Sequence, residues 1–281
     1  MKANHISIGK FNIDVITTVN RIPEVDSSET TDVLEIVPGG SATNYAVTAT
    51  TLGHSSVLVA PVAKDDITRT LLNTLASYGV GLEYVMEVNE KPNVTLIFLR
   101  RDGSISIIRR TATSLSQEML GKLRDAVNLF DVVHFASISP NYVIKPEKGL
   151  LTYDPGQYAG KLGTTVDVLF CNEREYEKVS SYDARLTVIK MGKKGARTEG
   201  LENCEVEAYP AEKINDTTGA GDVFDATFNV LYYETKKVNL SLRYAVTAAS
   251  MKLGKIGGIF PISREEIEAK LRDFTPRVRC K

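Results

Sequence analysis

The sequence predicts an α/β fold in which a largely parallel sheet is covered by helices, and two observations carry that expectation. Short apolar, β-rich runs alternate with helical patterns along most of the chain. No composition break, internal repeat or low-complexity tract divides the 281 residues, so one domain over residues 1–281 is expected. The elements follow in order. Ile6-Ser7-Ile8 reads as a strand at the very start. Residues 13–19 and 33–37 look like two further strands with no helix between them. Pro38-Gly39-Gly40 then leads into a helix that runs through Leu52 and ends at Gly53. Val57-Leu58-Val59-Ala60 reads as a buried strand, and residues 67–78 as an amphipathic helix with Leu71, Leu72 and Leu75 on one face. Residues 94–99 and 105–108 are strand-like and flank Asp102-Gly103, a favoured hairpin turn. Val132-Val133-His134-Phe135, Val166-Asp167-Val168-Leu169-Phe170 and Leu186-Thr187-Val188-Ile189 repeat the buried-strand pattern. A further helix is marked by Val223, Ala226, Val230 and Leu231. The strands at 13–19, 33–37, 94–99 and 105–108 break the strand–helix rhythm. They form either a small separate sheet or an antiparallel extension of the main sheet's edge, and periodicity leaves both open.

Bulk properties exclude several function classes. Basic and acidic residues number 34 and 35, a net charge of -1, which gives no support to a nucleic-acid or membrane partner. No apolar run approaches the length of a membrane span, and no signal peptide is evident. Cys171, Cys204 and Cys280 are scattered without a C-x-x-C pair, which argues for reduced thiols and a cytoplasmic location rather than a disulfide scaffold or a zinc site. His5, His54 and His134 are far apart and read as surface or packed side chains. Arg277, Arg279 and Lys281 read as a frayed tail. No G-x-G-x-x-G follows the first strand, so a dehydrogenase has little support.

The chemistry concentrates in Asp216-Thr217-Thr218-Gly219-Ala220-Gly221-Asp222. A glycine-containing turn that opens a helix exposes backbone N–H groups, and such an end binds anions. The acid at Asp222 has two readings: it caps the helix, or it accepts a proton from a hydroxyl attacking a bound phosphate. Phosphoryl transfer needs positioning, charge stabilisation and a base near the nucleophile, and this one segment offers all three. In Pro38-Gly39-Gly40-Ser41-Ala42-Thr43-Asn44, paired glycines allow close approach of a ligand, and Asn44 lies one helical turn beyond Gly40. The plainer reading is a strand-to-helix turn with Ser41 as N-cap.

Together these two segments resemble the signatures of the ribokinase (PfkB) family of carbohydrate and nucleoside kinases. Asn12-Ile13-Asp14, Asn172-Glu173-Arg174-Glu175 and Lys190-Met191-Gly192-Lys193-Lys194-Gly195 resemble further family segments in the same order, so the likeness spans almost the whole chain. The resemblance implies a three-layer α/β/α fold with a central mostly parallel sheet, and a small β-sheet lid built from about residues 12–37 and 92–110. It implies Asp222 as catalytic base and the N–H groups of Gly219, Ala220 and Gly221 as an anion hole. Asn12, Asp14, Gly40, Ser41 and Asn44 would hold the acceptor. Asn172, Lys190, Gly192 and Gly195 would serve the nucleotide, ATP, while Glu175 would hold Mg²⁺ through water. A monovalent-cation site is common in the family near residues 216–218 and Gly257-Gly258. A homodimer through the lid strands is a further expectation.

Two departures from the family pattern stand out. Ala226-Thr227 replaces a pair of small residues, with Asp225 an extra acid in the same helix. Ser41 stands where ribokinases proper carry lysine, as in the nucleoside-kinase branch, so a nucleoside is the first expected acceptor, with Tyr45 and Tyr158 available for stacking on a base. A free sugar such as ribose, a ketose or a polyol is the alternative. A non-catalytic binding protein on the same scaffold has no use for the base.

Overall fold

A computed structural model describes residues 2–100 and 104–281. The first half contains β1 (Asn4–Ile8), β2 (Asn12–Thr18), β3 (Leu34–Gly39), α1 (Ser41–Thr51), β4 (Ser55–Val59), β5 (Pro61–Ala63), α2 (Asp66–Ser77), β6 (Met86–Val88), β7 (Val94–Leu99), β8 (Ile105–Arg110), α3 (Gln117–Leu123) and β9 (Val132–Ala136). The second contains β10 (Leu150–Asp154), β11 (Val166–Asn172), α4 (Glu173–Val179), β12 (Ala184–Lys190), β13 (Ala196–Gly200), β14 (Cys204–Val206), α5 (Ala220–Thr235), α6 (Val238–Lys252), α7 (Arg264–Asp273) and β15 (Val278–Cys280). The expected Asp102-Gly103 turn lies outside the described residues.

The main sheet has the order β15-β14-β13-β12-β11-β10-β9-β1-β4. It is parallel from β4 to β12 and antiparallel beyond. Its inner strands read as continuous apolar runs because helices cover both faces. One face carries Ile8, Phe135, Tyr153 and Leu169, packed with Leu120 and Leu123 of α3 and Val179 of α4. The other presents Val168 and Phe170 to Phe224 and Phe228 of α5 and Leu242 of α6.

Toward β1, that second face becomes polar. His5 Nδ1 and the Tyr45 hydroxyl are 2.9 Å apart, and His5 Nε2 and His54 Nδ1 are 2.8 Å apart. Asn229 donates to both the Tyr45 and Thr152 hydroxyls, and His134 Nδ1 meets Thr152 at 2.8 Å. Three histidines remote in sequence thus join one buried network, in which Asn229 Oδ1 is left without a partner among the described residues. Desolvation holds His5 and His134 below the ordinary imidazole range, to about 3 for His134. Tyr45 is fully buried and stacked on His134 at 4.0 Å, so it is part of this core and not a platform for a base.

The irregular strands form a separate four-stranded sheet of order β3-β2-β7-β8, which resolves the alternatives left open by periodicity. Two further expectations are corrected at the C-terminus. Residues 278–280 form β15 and pair with β14 instead of fraying. That register sets Cys280 opposite Cys204, and the two are bonded as a disulfide, leaving Cys171 free and buried. With this disulfide present, the cysteines do not point to a reducing compartment. Among the described residues, no helix is long and apolar enough to cross a membrane.

Candidate active site

The ends of β10, β11 and β12 bring Asp154, Asn172 and Lys190 to one edge of the main sheet, where α1 and α5 begin. Ligand sites in open parallel sheets form at such carboxyl ends. Two clefts meet there. One, of about 400 Å³, is lined by Asn12, Asp14, Gly40, Ser41 and Asn44 together with Thr218, Gly219, Gly221 and Asp222. The other, of about 620 Å³, is lined by Lys190, Gly192 and Gly195 together with Ala220 and Gly221. Gly221 borders both. The small sheet covers the first cleft: the alternation of β-strand side chains turns Asp14, Thr95, Ile97, Ile105, Ile107 and Arg109 toward it.

At the junction lies the N-terminus of α5. Its N-cap is Gly219, with φ of 77°, and no side chain caps it. A Cβ at Gly219 would stand 2.6 Å from the Gly258 carbonyl oxygen, so the turn requires glycine. Asp222 therefore does not cap the helix. Its Oδ2 accepts a 2.7 Å hydrogen bond from Asn44 Nδ2, tying α5 to α1. Among the described residues, the N–H groups of Gly221 and Asp222 have no protein acceptor, while that of Ala220 makes a long 3.4 Å bond to the Thr217 carbonyl. Burial pushes the Asp222 carboxyl up to about 6, against the opposing hydrogen bond from Asn44. Burial likewise raises Asp14 to about 6. Asp14 Oδ1, Asn44 Oδ1 and Thr218 Oγ1 are buried with no protein partner, which leaves three polar atoms in residues lining this cleft available to a ligand.

Several site residues are already engaged. Gly40, and not Ser41, is the N-cap of α1, with φ of 101°, and Ser41 Oγ lies 3.1 Å from Ser137 Oγ. Asn172 Oδ1 caps α4 by accepting from the N–H groups of Arg174 and Glu175, while Glu175 Oε2 accepts from the Asn172 N–H. At Gly195 a side chain would collide with the Val206 carbonyl oxygen, so this glycine serves packing, whereas Gly192 has open space around it. Lys190 Nζ donates to Asp154 at 2.6 Å and to Asp225 at 2.9 and 3.0 Å. Burial works to lower the Lys190 pKa, but the two carboxylates outweigh it and hold the ammonium charged. Burial raises Asp225 well above the carboxylate range, with Lys190 only partly offsetting it, whereas at Asp154 the ammonium prevails over burial and lowers the pKa. One ammonium thus bridges two buried carboxyl groups. The extra acid Asp225 has its explanation in this triad, which sits beneath Gly221: a Cβ there would lie 3.3 Å from Lys190 Nζ.

Sequence reasoning missed Lys10, Arg109 and Arg110 on the first cleft, which Tyr158, one of the two tyrosines offered for stacking on a base, also lines. Lys10 donates to the Tyr158 hydroxyl and lies 5.0 Å from its ring centroid. Its place between the end of β1 and Asn12 was the available signal. Asp154 was also missed, although an acid ending a parallel strand marks the ligand edge.

The pfkB family carbohydrate kinase pattern matches residues 2–152 and 156–265. The chain belongs to that family. It is an ATP-dependent kinase of ribokinase-like fold. Relatives similar to it include the ribokinase of Bacillus subtilis (strain 168), 26% identical over 94% of this chain and 98% of that protein. The ATP-dependent ribose-1-phosphate kinase of Halopiger xanaduensis is 28% identical over 90% of this chain and 92% of that protein. In three dimensions, the nucleoside kinase of Methanocaldococcus jannaschii superposes with a TM-score of 0.81 at 20% identity, covering 96% of this chain and 98% of that one.

The triad yields a prediction. Lys190→Met leaves two buried carboxyl groups without their cation, and stability measured by urea unfolding should fall by about 3–5 kcal/mol. A stability equal to the wild type would show that the ammonium is not the partner described.

Proposed function

We propose that this kinase transfers the γ-phosphoryl group of ATP to a hydroxyl of a ribose-type ring held beneath the small sheet, which acts as the lid. The observation carrying the proposal is that two clefts share Gly221 while Asp222 borders only one of them. ATP would lie along Gly192 with its terminal phosphate on the N–H groups of Gly221 and Asp222. Asp14 and Asn44 would accept hydrogen bonds from ring hydroxyls through their unpartnered oxygens. The attacking hydroxyl oxygen forms a bond to the γ-phosphorus as the bond to the ADP oxygen breaks, and its proton passes to Asp222. Closure of the lid would keep water from competing. Mg²⁺ neutralises charge on the nucleotide phosphates when bound. The fit is through water at Glu175, whose Oε2 alone is used by the Asn172 N–H; the Asn172 oxygen is committed to α4.

Two readings of the acceptor have separate support. The apolar inner wall of Ile97, Ile105 and Ile107 favours a nucleoside base, in line with Ser41. Lys10 and Arg109 line the same cleft, and among the described residues neither has a carboxylate within salt-bridge distance, so an acceptor with an anionic group would complete them, whereas Arg110, next to Arg109 on the strand, donates to the Pro92 carbonyl. Lys10 and Arg109 favour a phosphate-bearing ribose, because cations without counter-charges gain more from a phosphate than from a neutral base. On the outer face, Ile36, Val15, Leu96 and Ile108 lie opposite one another across all four strands, and Ile36 and Ile108 are 51% and 60% exposed, which supports pairing of two copies through this sheet. Consumption of ATP supports a cytoplasmic location.

Asp222→Asn tests the base. Because Asp222 must be ionised to accept the proton, wild-type kcat/KM should fall about tenfold per pH unit below its value of about 6. The variant should lose about 10²–10⁴-fold in kcat and with it this acidic limb, while retaining ATP binding. An unchanged rate would remove Asp222 from the chemistry. The acceptor is tested with ribose, ribose 1-phosphate and nucleosides side by side. Ribose 1-phosphate should give the highest kcat/KM, and Arg109→Ala should lower that value alone. A nucleoside preferred by wild type and Arg109→Ala alike would establish the other reading.

A further inference from the structure

Lys252, the last residue of α6, is fully buried, and so is Asp216. A buried ammonium requires oxygen partners on every side it faces. Lys252 Nζ donates to the Asp216 carbonyl at 3.0 Å and to the Lys255 carbonyl at 3.0 Å, and it lies 3.9 Å from Asp216 Oδ2. The Asp216 carboxylate in turn accepts from the N–H groups of Thr218 and Gly257, each at 2.8 Å. One positive charge thus binds the loop after α6 to the turn that leads into the N-terminus of α5. The same loop supplies Gly258, against which the Gly219 cap is packed.

The region between residues 216–218 and Gly257-Gly258 is where a monovalent cation was expected, and the residues present do not fit one. Carbonyl and carboxylate oxygens that would surround such an ion are already taken by a tethered ammonium. An ion could enter only by displacing Lys252 from its three oxygens. We infer that the Lys252 ammonium stands in for the monovalent cation, so that this kinase holds the turn beneath its anion hole with a charge of its own and needs no K⁺. Lys252 is a positioning residue: it contacts neither cleft and acts through Asp216 on the placement of Gly219 to Gly221. Burial works to lower its pKa, to about 8, with Asp216 and Asp222 pulling the other way, so the ammonium form prevails at neutral pH.

The inference rests on the kinase reading for its rate measurement only, and thermal unfolding tests it independently of turnover. For the wild-type protein, both the rate with ATP, Mg²⁺ and acceptor and the Tm should be the same in K⁺ as in tetramethylammonium at equal ionic strength. Lys252→Ala opens the space and removes the charge. Its kcat should fall by about tenfold or more, its Tm should drop, and K⁺ or ammonium, but not tetramethylammonium, should raise both. A wild-type Tm or rate that rises saturably with K⁺ would overturn the inference, as would a Lys252→Ala protein as active and stable as wild type. If the alanine variant does not fold, the wild-type titration decides alone. A wild type with no kinase activity in any salt refutes the kinase reading, and the wild-type Tm still decides the cation.

Discussion

The hydrogen bond from Asn44 to Asp222 fixes two helix N-termini against each other, and the site is arranged around it. Neither α1 nor α5 has a side-chain cap. Each begins at a glycine with positive φ, so its first turn ends in backbone alone. Helix ends left in this state carry partial positive charge and unpaired donors, which a phosphate can satisfy. The same burial that exposes these donors to a ligand rather than to water also raises the Asp222 pKa toward neutrality, where a carboxylate is an effective proton acceptor. The proposed anion site and base would therefore be two consequences of one desolvated junction.

Buried charge elsewhere is arranged so that this junction keeps its polarity. Lys190 is matched by Asp154 and Asp225, which confines its field beneath Gly221. Lys252 is matched by Asp216 and two carbonyls behind the cap. By contrast, Lys10 and Arg109 have no carboxylate partner among the described residues and line the cleft beneath the small sheet. Paired cations thus lie behind the proposed anion hole, and cations without a carboxylate among the described residues line the cleft where an acceptor would bind, which gives the two clefts different electrostatic characters.

Features that depend on local backbone chemistry were legible in the sequence. Gly219 and Gly40 announce their turns because positive φ selects glycine, and the buried strands announce themselves as apolar runs. The four strands that break the rhythm were legible as strands, and their partners were not, since β2 pairs with β7 across many residues. Long-range pairing hid most of what was missed. Asp225 looked like an anomaly until Lys190, 35 residues away, was seen beside it. Cys204 and Cys280 stand 76 residues apart and meet only because β15 returns to the sheet edge. Lys252 gives no sign of burial, since a lysine ending an amphipathic helix ordinarily faces water. Ser41 gave a misleading sign: its neighbour Gly40 is the cap.

In the proposed reaction, donor and acceptor approach Gly221 from opposite clefts and exchange the phosphoryl group in one step. ATP made chiral at its γ-phosphorus with oxygen isotopes tests this most directly. A single in-line displacement inverts the configuration at phosphorus, and inversion in the phosphorylated product is the predicted result. Net retention would require two successive displacements through a phosphorylated residue of the protein, and would rule out direct transfer between the two clefts.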